Sequence, residues 1–335
     1  MKFAREIKSD MTGEIQPVIR TDGRSHCRRL AAALSLLMLV FAASGANCST
    51  WVRGYTQPRI LPATATLDQI VNVVNENSNR VQSLQSTQAS LSLPGAPTLK
   101  ATVALAPPRR LRLRASSFTS PELDLGSNDE MFWLWISRSQ PPATYMCRHD
   151  QFAMSNAQQI MPVEPEWLID AAGLARFDTT QPLEGPFPEH GDRVEIRSHK
   201  LTTAGEVTQI TVVDQWEGTV VEQDVYNSQG QLLAVARANH FQRDAGSGAN
   251  LPRSIDVQWP TTQLSFHLDV SGWVVNGIPP DNLTWFTKPE YPGYPNIDLA
   301  DPHLQFAVPG GTAPMVPAMA PAARVYPSAV TVPPH

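Results

Sequence analysis

Residues 99–115 read Leu-Lys-Ala-Thr-Val-Ala-Leu-Ala-Pro-Pro-Arg-Arg-Leu-Arg-Leu-Arg-Ala. Two alternating runs meet at a proline pair. In the first, Leu99, Ala101, Val103 and Leu105 share one face against Lys100, Thr102 and Ala104; in the second, Leu111, Leu113 and Ala115 alternate with Arg110, Arg112 and Arg114. Successive side chains of a strand point to opposite faces, so a period of two predicts two strands reversing at Pro107-Pro108. Ala89, Leu91 and Leu93, alternating with Ser90 and Ser92 ahead of Pro94-Gly95, add a third. Three such runs predict an antiparallel sheet with one wet side. The arginines read as that solvated face rather than as a phosphate-reading stripe, because nothing else nearby is basic.

Upstream, Thr66 is a candidate N-cap, and Leu67, Ile70, Val71, Val74, Val81 and Leu84 recur near helical spacing. Asn72, Asn75, Asn77, Asn79 and Gln82 lie elsewhere, which predicts an amphipathic helix with an asparagine-rich outer face. Downstream, residues 130–136 (Glu-Met-Phe-Trp-Leu-Trp-Ile) are almost wholly apolar. Such a strand is covered on both faces, or lines a cavity on one and packs on the other. Only one of the pairs Phe132/Leu134 and Trp133/Trp135 can face inward. Residues 161–174 predict a short helix, with Pro165 in its first turn and Gly173 at its end. Strands resume over 194–198, 207–213, 219–226, 232–241, 255–259, 264–268 and 273–275, separated by turn-like stretches such as Asn227-Ser228-Gln229-Gly230.

Both ends of the 335-residue chain differ from this body. Arg28 and Arg29 precede an apolar run over 30–43 and the small residues Ser44-Gly45-Ala46, the pattern of a secretory signal. The run is shorter than the roughly 20 residues a spanning helix needs. Gly45-Ala46-Asn47-Cys48 also resembles a bacterial lipoprotein signal, in which Cys48 becomes the lipidated N-terminus and a membrane anchor; cleavage after Ala46 is the alternative. Residues 288–335 hold eleven prolines, a density that predicts an extended or disordered tail. The expected organisation is a signal peptide over 1–47, a tether over 48–65, one domain over 66–287 and the tail over 288–335.

Charge and motifs exclude several functions. The net charge of −5 becomes −8 once residues 1–47 are removed, so neither nucleic acid nor an acidic membrane surface is an electrostatic partner. Three cysteines build no disulfide framework. No HExxH, GxSxG, phosphate-loop, GxGxxG or calcium-loop pattern occurs. Cys147 beside His149-Asp150 makes a poor thiol–imidazole pair, and Asp298, Asp301 and His303 sit in the proline-rich tail. No catalytic or metal-ligating residue is nominated.

The order of helix, strands, short mid-chain helix and further strands resembles the outer-membrane lipoprotein carrier family (LolA-like, with the anchored LolB-like and RseB-like proteins). The stretches that carry the resemblance are the helix from Leu67-Asp68-Gln69-Ile70-Val71 to Val81-Gln82-Ser83-Leu84, Pro107-Pro108-Arg109-Arg110-Leu111-Arg112-Leu113-Arg114, Asn128-Asp129-Glu130-Met131-Phe132-Trp133-Leu134-Trp135, and Leu251-Pro252-Arg253-Ser254-Ile255-Asp256-Val257. It covers residues 66–286. It implies an α+β fold, a curved antiparallel sheet forming an incomplete β-barrel closed by helices. It also implies a cavity that holds acyl chains of lipid or lipoprotein without a cofactor and without catalysis, in the periplasm or cell envelope. The candidate lining is Leu111, Leu113, Phe132, Trp133, Leu134, Trp135 and Trp259 from strands, with Ile70 and Val74 from the helix. The anchor and the tail favour a membrane-tethered member over a free shuttle. An envelope scaffold or sensor with a protein partner is the competing expectation.

Overall fold

The computed structural model describes residues 59–202 and 205–304, all within the unit Pro58–His335. The expected signal peptide, Cys48 and the residues beyond 304 lie outside the described residues. The first element is helix α1 (Leu67–Asn79), closed at its start by a reciprocal capping box: the Thr66 hydroxyl accepts from the Gln69 N–H, and the Gln69 side chain accepts from the Thr66 N–H. Ile70, Val71 and Val74 are buried as the spacing predicts. The helix stops at Asn79, however, so Val81 and Leu84 leave its stripe and enter a different core.

Two of the asparagines expected on the outer face turn inward instead. The Asn75 amide donates to the Phe177 carbonyl at 3.0 Å and accepts from its N–H at 2.8 Å; Asn77 does the same with Asn250, at 3.0 and 2.7 Å. A carboxamide presents one acceptor beside donors, so it can pair with both backbone groups of one residue, as a neighbouring strand would. The helix thereby fixes two loops.

A meander follows: β1 (Leu84–Ser92), β2 (Leu99–Ala106), β3 (Arg110–Ser116), β4 (Pro121–Ser127), β5 (Met131–Ile136) and β6 (Thr144–Arg148). After an irregular stretch come β7 (Leu183–Glu189), β8 (Arg193–Thr202), β9 (Gly205–Asp214), β10 (Thr219–Asn227) and β11 (Leu232–Asn239). Then β12 (Gln242–Arg243) pairs with β13 (Asn250–Leu251) apart from the rest, ahead of β14 (Ser254–Trp259), β15 (Leu264–Val270), β16 (Val274–Val275) and β17 (Asn296–Asp298).

Fifteen strands form one sheet in the order β17-β6-β5-β4-β3-β2-β1-β15-β14-β11-β10-β9-β8-β7, with β16 also on β1. The β1–β15 pairing, Ala89 opposite Val270, joins the early meander to the later strands. The sheet is curved and does not close into a barrel, so the fold is the expected α+β half-barrel. Among the described strands, only β17 runs parallel to its neighbour. Pro186 and Pro188 lie on the other edge strand, β7, where missing N–H groups discourage further pairing.

Alternation on β3 and β5 sorts side chains onto two faces. Leu111, Leu113, Leu125 and Phe132 join the main core with Ile255, Val257 and Trp259. A second core holds Ile70, Val71 and Val74 of α1 against Val194, Ile196, Val213 and Val220.

The opposite face of β2–β5 is where the sequence reading needs correction. Residues 278–298 cross it as a strap. Arg110 donates to the Pro280 carbonyl at 3.4 Å, Arg112 to those of Trp285 and Thr287 at 3.2 and 3.1 Å, and the Arg114 guanidinium lies over the Trp285 ring. The arginine face is therefore a docking rail, not a solvated surface; Arg112 is only 9% exposed. Its charge is met by Asp124, which accepts from Arg112 Nε at 3.1 Å and Nη2 at 2.6 Å, from the Trp133 indole at 3.3 Å and from the Tyr291 hydroxyl at 2.6 Å. Burial and the Asp124 carboxylate push the Tyr291 phenol upward. Beyond it, Tyr291 stacks on Trp135 at 4.0 Å and β17 lies on β6. Residues 288–304, assigned to the tail from proline content, belong to the body: the prolines hold an extended path that needs few backbone donors of its own.

Candidate functional site

Between β6 and β7 the chain folds back under the half-barrel. Short 3₁₀ turns at His149–Met154 and Asn156–Gln159 lead to an α turn, Trp167–Ile169, continued by a π turn, Asp170–Leu174. The helix predicted over 161–174 thus begins only at Trp167. Gly173 ends it at φ +89°, a left-handed conformation suited to glycine, and a Cβ there would press on Pro252. This segment is a plug: Trp167, Ile169, Ala171, Ala172 and Leu174 all join the main core.

Polar ties hold the plug from two sides. Arg109, in the turn after β2, meets Glu166 at 2.9 Å; Lys200 of β8 meets Glu164 at 2.8 Å. Behind it, the Ser78 hydroxyl of α1 donates to the Ala175 carbonyl at 2.7 Å.

Among the described residues, three spaces adjoin the plug; one, of about 270 Å³, lies beside Pro107, Pro108 and Arg109 and is also lined by Glu166, Asp170 and Arg176. Against β2–β4 and β14–β15 the gap lined by Leu105, Leu113, Leu168, Ala172 and Ile255 amounts to about 40 Å³, so plug side chains fill that concavity. On the β8–β11 side an open cleft of about 480 Å³ remains, walled by Phe152, Val163, Trp167, Val207, Val225 and Leu233. Ligand pockets span roughly 300–1,000 Å³, so the β8–β11 cleft admits a small amphiphile as it stands and the central gap does not.

The candidate lining residues do not form one site. Leu111, Leu113, Phe132 and Trp259 are buried in the main core, with Leu134 packed against it. Trp133 and Trp135 point the other way: Trp133 lies over Gly126, with its indole on Asp124, and Trp135 lies under Tyr291. Those two rings bind the strap because alternation on β5 sends them to the outer face. Ile70 and Val74 belong to the second core, apart from the residues with which they were grouped. None of the nine candidates lines the open cleft; the plug and β8–β11 do. The sequence signal available for these was weak: single apolar residues such as Val207, Val225 and Leu233 in strands of mixed polarity.

Sequence reasoning also missed a cluster assembled by the plug. Ser127 Oγ is 3.2 Å from His149 Nε2, and His149 Nδ1 is 3.3 Å from Glu166. This chain of contacts looks like a hydrolytic triad. Yet Nε2 lies 2.8 Å from the Asn128 carbonyl, which only accepts, so that nitrogen carries the proton and is no base for the serine. Ser127 itself has no exposed surface. Cys147 is likewise buried; burial raises its thiol pKa, leaving a weak nucleophile. Among the described residues no group of three or more His, Cys, Asp or Glu side chains is placed to hold a metal ion, and no helix is long and apolar enough to cross a membrane.

No family model and no curated protein matches the chain. Solved structures do. A LolA superfamily protein from Nitrosomonas europaea is 15% identical over 65% of this chain and 97% of its own, with a TM-score of 0.42. The chain is similar to LolA superfamily proteins. A putative outer membrane lipoprotein-sorting protein domain from Vibrio parahaemolyticus is 11% identical over 64% of this chain and 94% of its own, with a TM-score of 0.44. The MucA/MucB complex of Pseudomonas aeruginosa gives a looser likeness: 10% identity over 59% of this chain and 92% of that one, with a TM-score of 0.18. The family resemblance read from the order of elements is the one these comparisons return.

Proposed function

We propose that this chain is an exported, non-enzymatic envelope protein that holds acyl chains of lipid or lipoprotein against the inner face of its half-barrel. It has one body, residues 59–304, tethered through an acylated Cys48. The observation that carries this reading is the 480 Å³ cleft between plug and sheet, open to solvent, in which Phe152, Val163, Trp167, Val207, Val225 and Leu233 form an apolar strip among polar and charged residues. Each methylene buried along that strip contributes about 0.8 kcal/mol, so the apolar part of an amphiphile supplies the main share of binding. The central concavity accepts a chain only when the plug moves.

That packed centre favours a second reading, an envelope scaffold or sensor that uses the same fold for protein contacts. Purification from cells followed by organic extraction and mass spectrometry separates the two. Acyl lipid in stoichiometric amount, together with saturable binding of a fluorescent fatty acid, supports the first reading. A lipid-free protein that binds no such probe and retains one stoichiometric protein partner overturns it. Mass spectrometry of the mature N-terminus tests the anchor: a diacylated Cys48 is expected, and a free Asn47 refutes it.

A further inference from the structure

We propose that the open cleft selects amphiphiles that carry a primary ammonium group, its apolar walls taking the chain and its carboxylates the nitrogen. This rests on the acyl-chain reading above and adds to it the chemistry of the headgroup.

Charge in the cleft is one-sided. Glu164, Glu166, Asp170 and Glu206 line it, against Lys200 alone. Three of those acids already have a partner: Lys200 for Glu164, Arg109 for Glu166 and His199 for Glu206. Asp170 has none. Among the described residues no hydrogen-bond donor meets its carboxylate, although Arg176 and Lys200 lie close enough to act on it through space. Burial, only partly offset by those cations and reinforced by Glu166, pushes its pKa up to about 7. A carboxylate desolvated this way, in a cleft, is a common mark of a functional site.

Two further polar atoms at the cleft lack partners. Glu166 Oε2 is buried without a donor, and so is the indole N–H of Trp167 without an acceptor, in a side chain only 6% exposed. Buried polar groups are nearly always paired, so a cleft that gathers one buried unmet acceptor and one buried unmet donor beside the half-buried, unpartnered Asp170 calls for a ligand that supplies the complement. A primary ammonium brings three donors and no acceptor, which suits Asp170 and Glu166. A nearby ester or amide carbonyl of the ligand would take the Trp167 N–H. An anionic headgroup fails twice: it adds acceptors where acceptors are already unmet, and it places like charge beside Asp170. A quaternary ammonium carries the charge without the donors.

The test uses the whole mature chain and four probes of equal chain length, each below its micelle concentration. These are dodecylammonium, dodecyltrimethylammonium, dodecanoate and dodecyl maltoside, competing against a neutral naphthylamine dye at pH 8. Dodecylammonium should displace the dye at about tenfold lower concentration than any of the other three, the scale of one hydrogen bond to a charged group. In Asp170→Asn that advantage should shrink to about twofold while the maltoside curve stays in place. Glu166→Gln should reduce it by a smaller factor. Equal displacement by all four probes, or a preference that survives both substitutions, overturns the headgroup assignment and leaves the acyl-chain reading standing. Failure of the dye and of every probe to bind overturns the acyl-chain reading and this inference with it.

Discussion

Removing Asp124 should loosen the strap before it unfolds the sheet. Asp124 is 1% exposed and Arg112 9%. The carboxylate accepts four hydrogen bonds, two from Arg112 and one each from Trp133 and Tyr291. In Asp124→Ala the guanidinium stays buried with only the Trp285 and Thr287 carbonyls for partners. Breaking a buried pair from one side typically costs 3–5 kcal/mol, chiefly because the remaining charge is left uncompensated. The upper half applies here, since Tyr291 and Trp133 lose their acceptor as well. About 4 kcal/mol corresponds to a fall in Tm of roughly 8–16 °C for a body of this size. Replacing both partners, Arg112→Leu with Asp124→Leu, should recover most of the loss, because no isolated charge remains. Urea melts of the two single variants and the double variant give the coupling energy, expected at about 2 kcal/mol or more. Chymotrypsin gives an independent readout: the Trp285 and Phe286 sites should be nicked in Asp124→Ala while the sheet stays folded. A cost below about 1 kcal/mol, or a double variant weaker than both single ones, would refute the view that charge pairing locks the strap.

Three other perturbations test the second core and two titrations of opposite sense. Ile70→Ala, deep in the second core, should cost about 2–5 kcal/mol by urea melt yet leave probe binding unchanged, because α1 does not wall the cleft. Asp170→Asn should stabilise the protein at neutral pH. A carboxyl whose folded pKa is raised costs stability as pH climbs from its unfolded value near 4 to about 7, so variant and parent should melt alike at pH 4 and diverge by pH 8. His267 titrates in the opposite sense. Burial pulls its pKa down, but the Asp256 hydrogen bond at 2.7 Å and the charges of Asp256 and Asp269 outweigh it and hold the imidazole above its ordinary value. Its contribution is therefore complete below about pH 6.5 and lost as pH rises through the raised value, a slope that His267→Gln should erase in melts from pH 5 to 9.

Strands whose neighbours alternate were legible, and strands whose faces are both used were not. On β2 and β3 the period of two shows directly in the sequence, because each keeps one consistent apolar face, whereas β5 was legible as a strand from its unbroken apolar run. In β4 the outer face carries Asp124 and Gly126, and Gly126 is there because a Cβ would overlap the Trp133 ring. That requirement comes from the partner strand and leaves no local trace. The arginine alternation was visible, but its environment was not: the segment covering it lies about 170 residues further along the chain. Proline content likewise records that a strap cannot be helix or central strand, and says nothing of whether another face receives it. The cleft was the least legible part. Its walls are shared between the plug and the consecutive strands β8–β11, whose cleft-side positions mix Val207, Val225 and Leu233 with Gln209, Asn227 and Gln231 and so show no single apolar face.

Whether the plug yields to an acyl chain is a question of competing methylenes. Leu168, Ala171 and Ala172 place about six side-chain carbons against the central concavity; at about 0.8 kcal/mol each, lifting them costs roughly 5 kcal/mol if they were fully buried. An acyl chain of a dozen methylenes entering the same space gains roughly 10 kcal/mol before ordering costs, so exchange favours long chains over short ones only where Trp167, Ile169 and Leu174 keep their places in the main core. The ties from Arg109 and Lys200 add little to the barrier, since both cations are half exposed and such pairs are worth about 1 kcal/mol or less. Leu168→Ala removes three of the competing carbons. Because Leu168 is only half-buried, the gain is about half of the 2.4 kcal/mol that three methylenes represent, close to a tenfold change in the population of lifted plug. A sixteen-carbon probe should therefore bind Leu168→Ala several-fold more tightly than the parent, while an eight-carbon probe confined to the open cleft should bind both alike. If the long probe binds the variant more weakly, Leu168 is part of the wall that grips the chain, and the plug is a lining rather than a competitor.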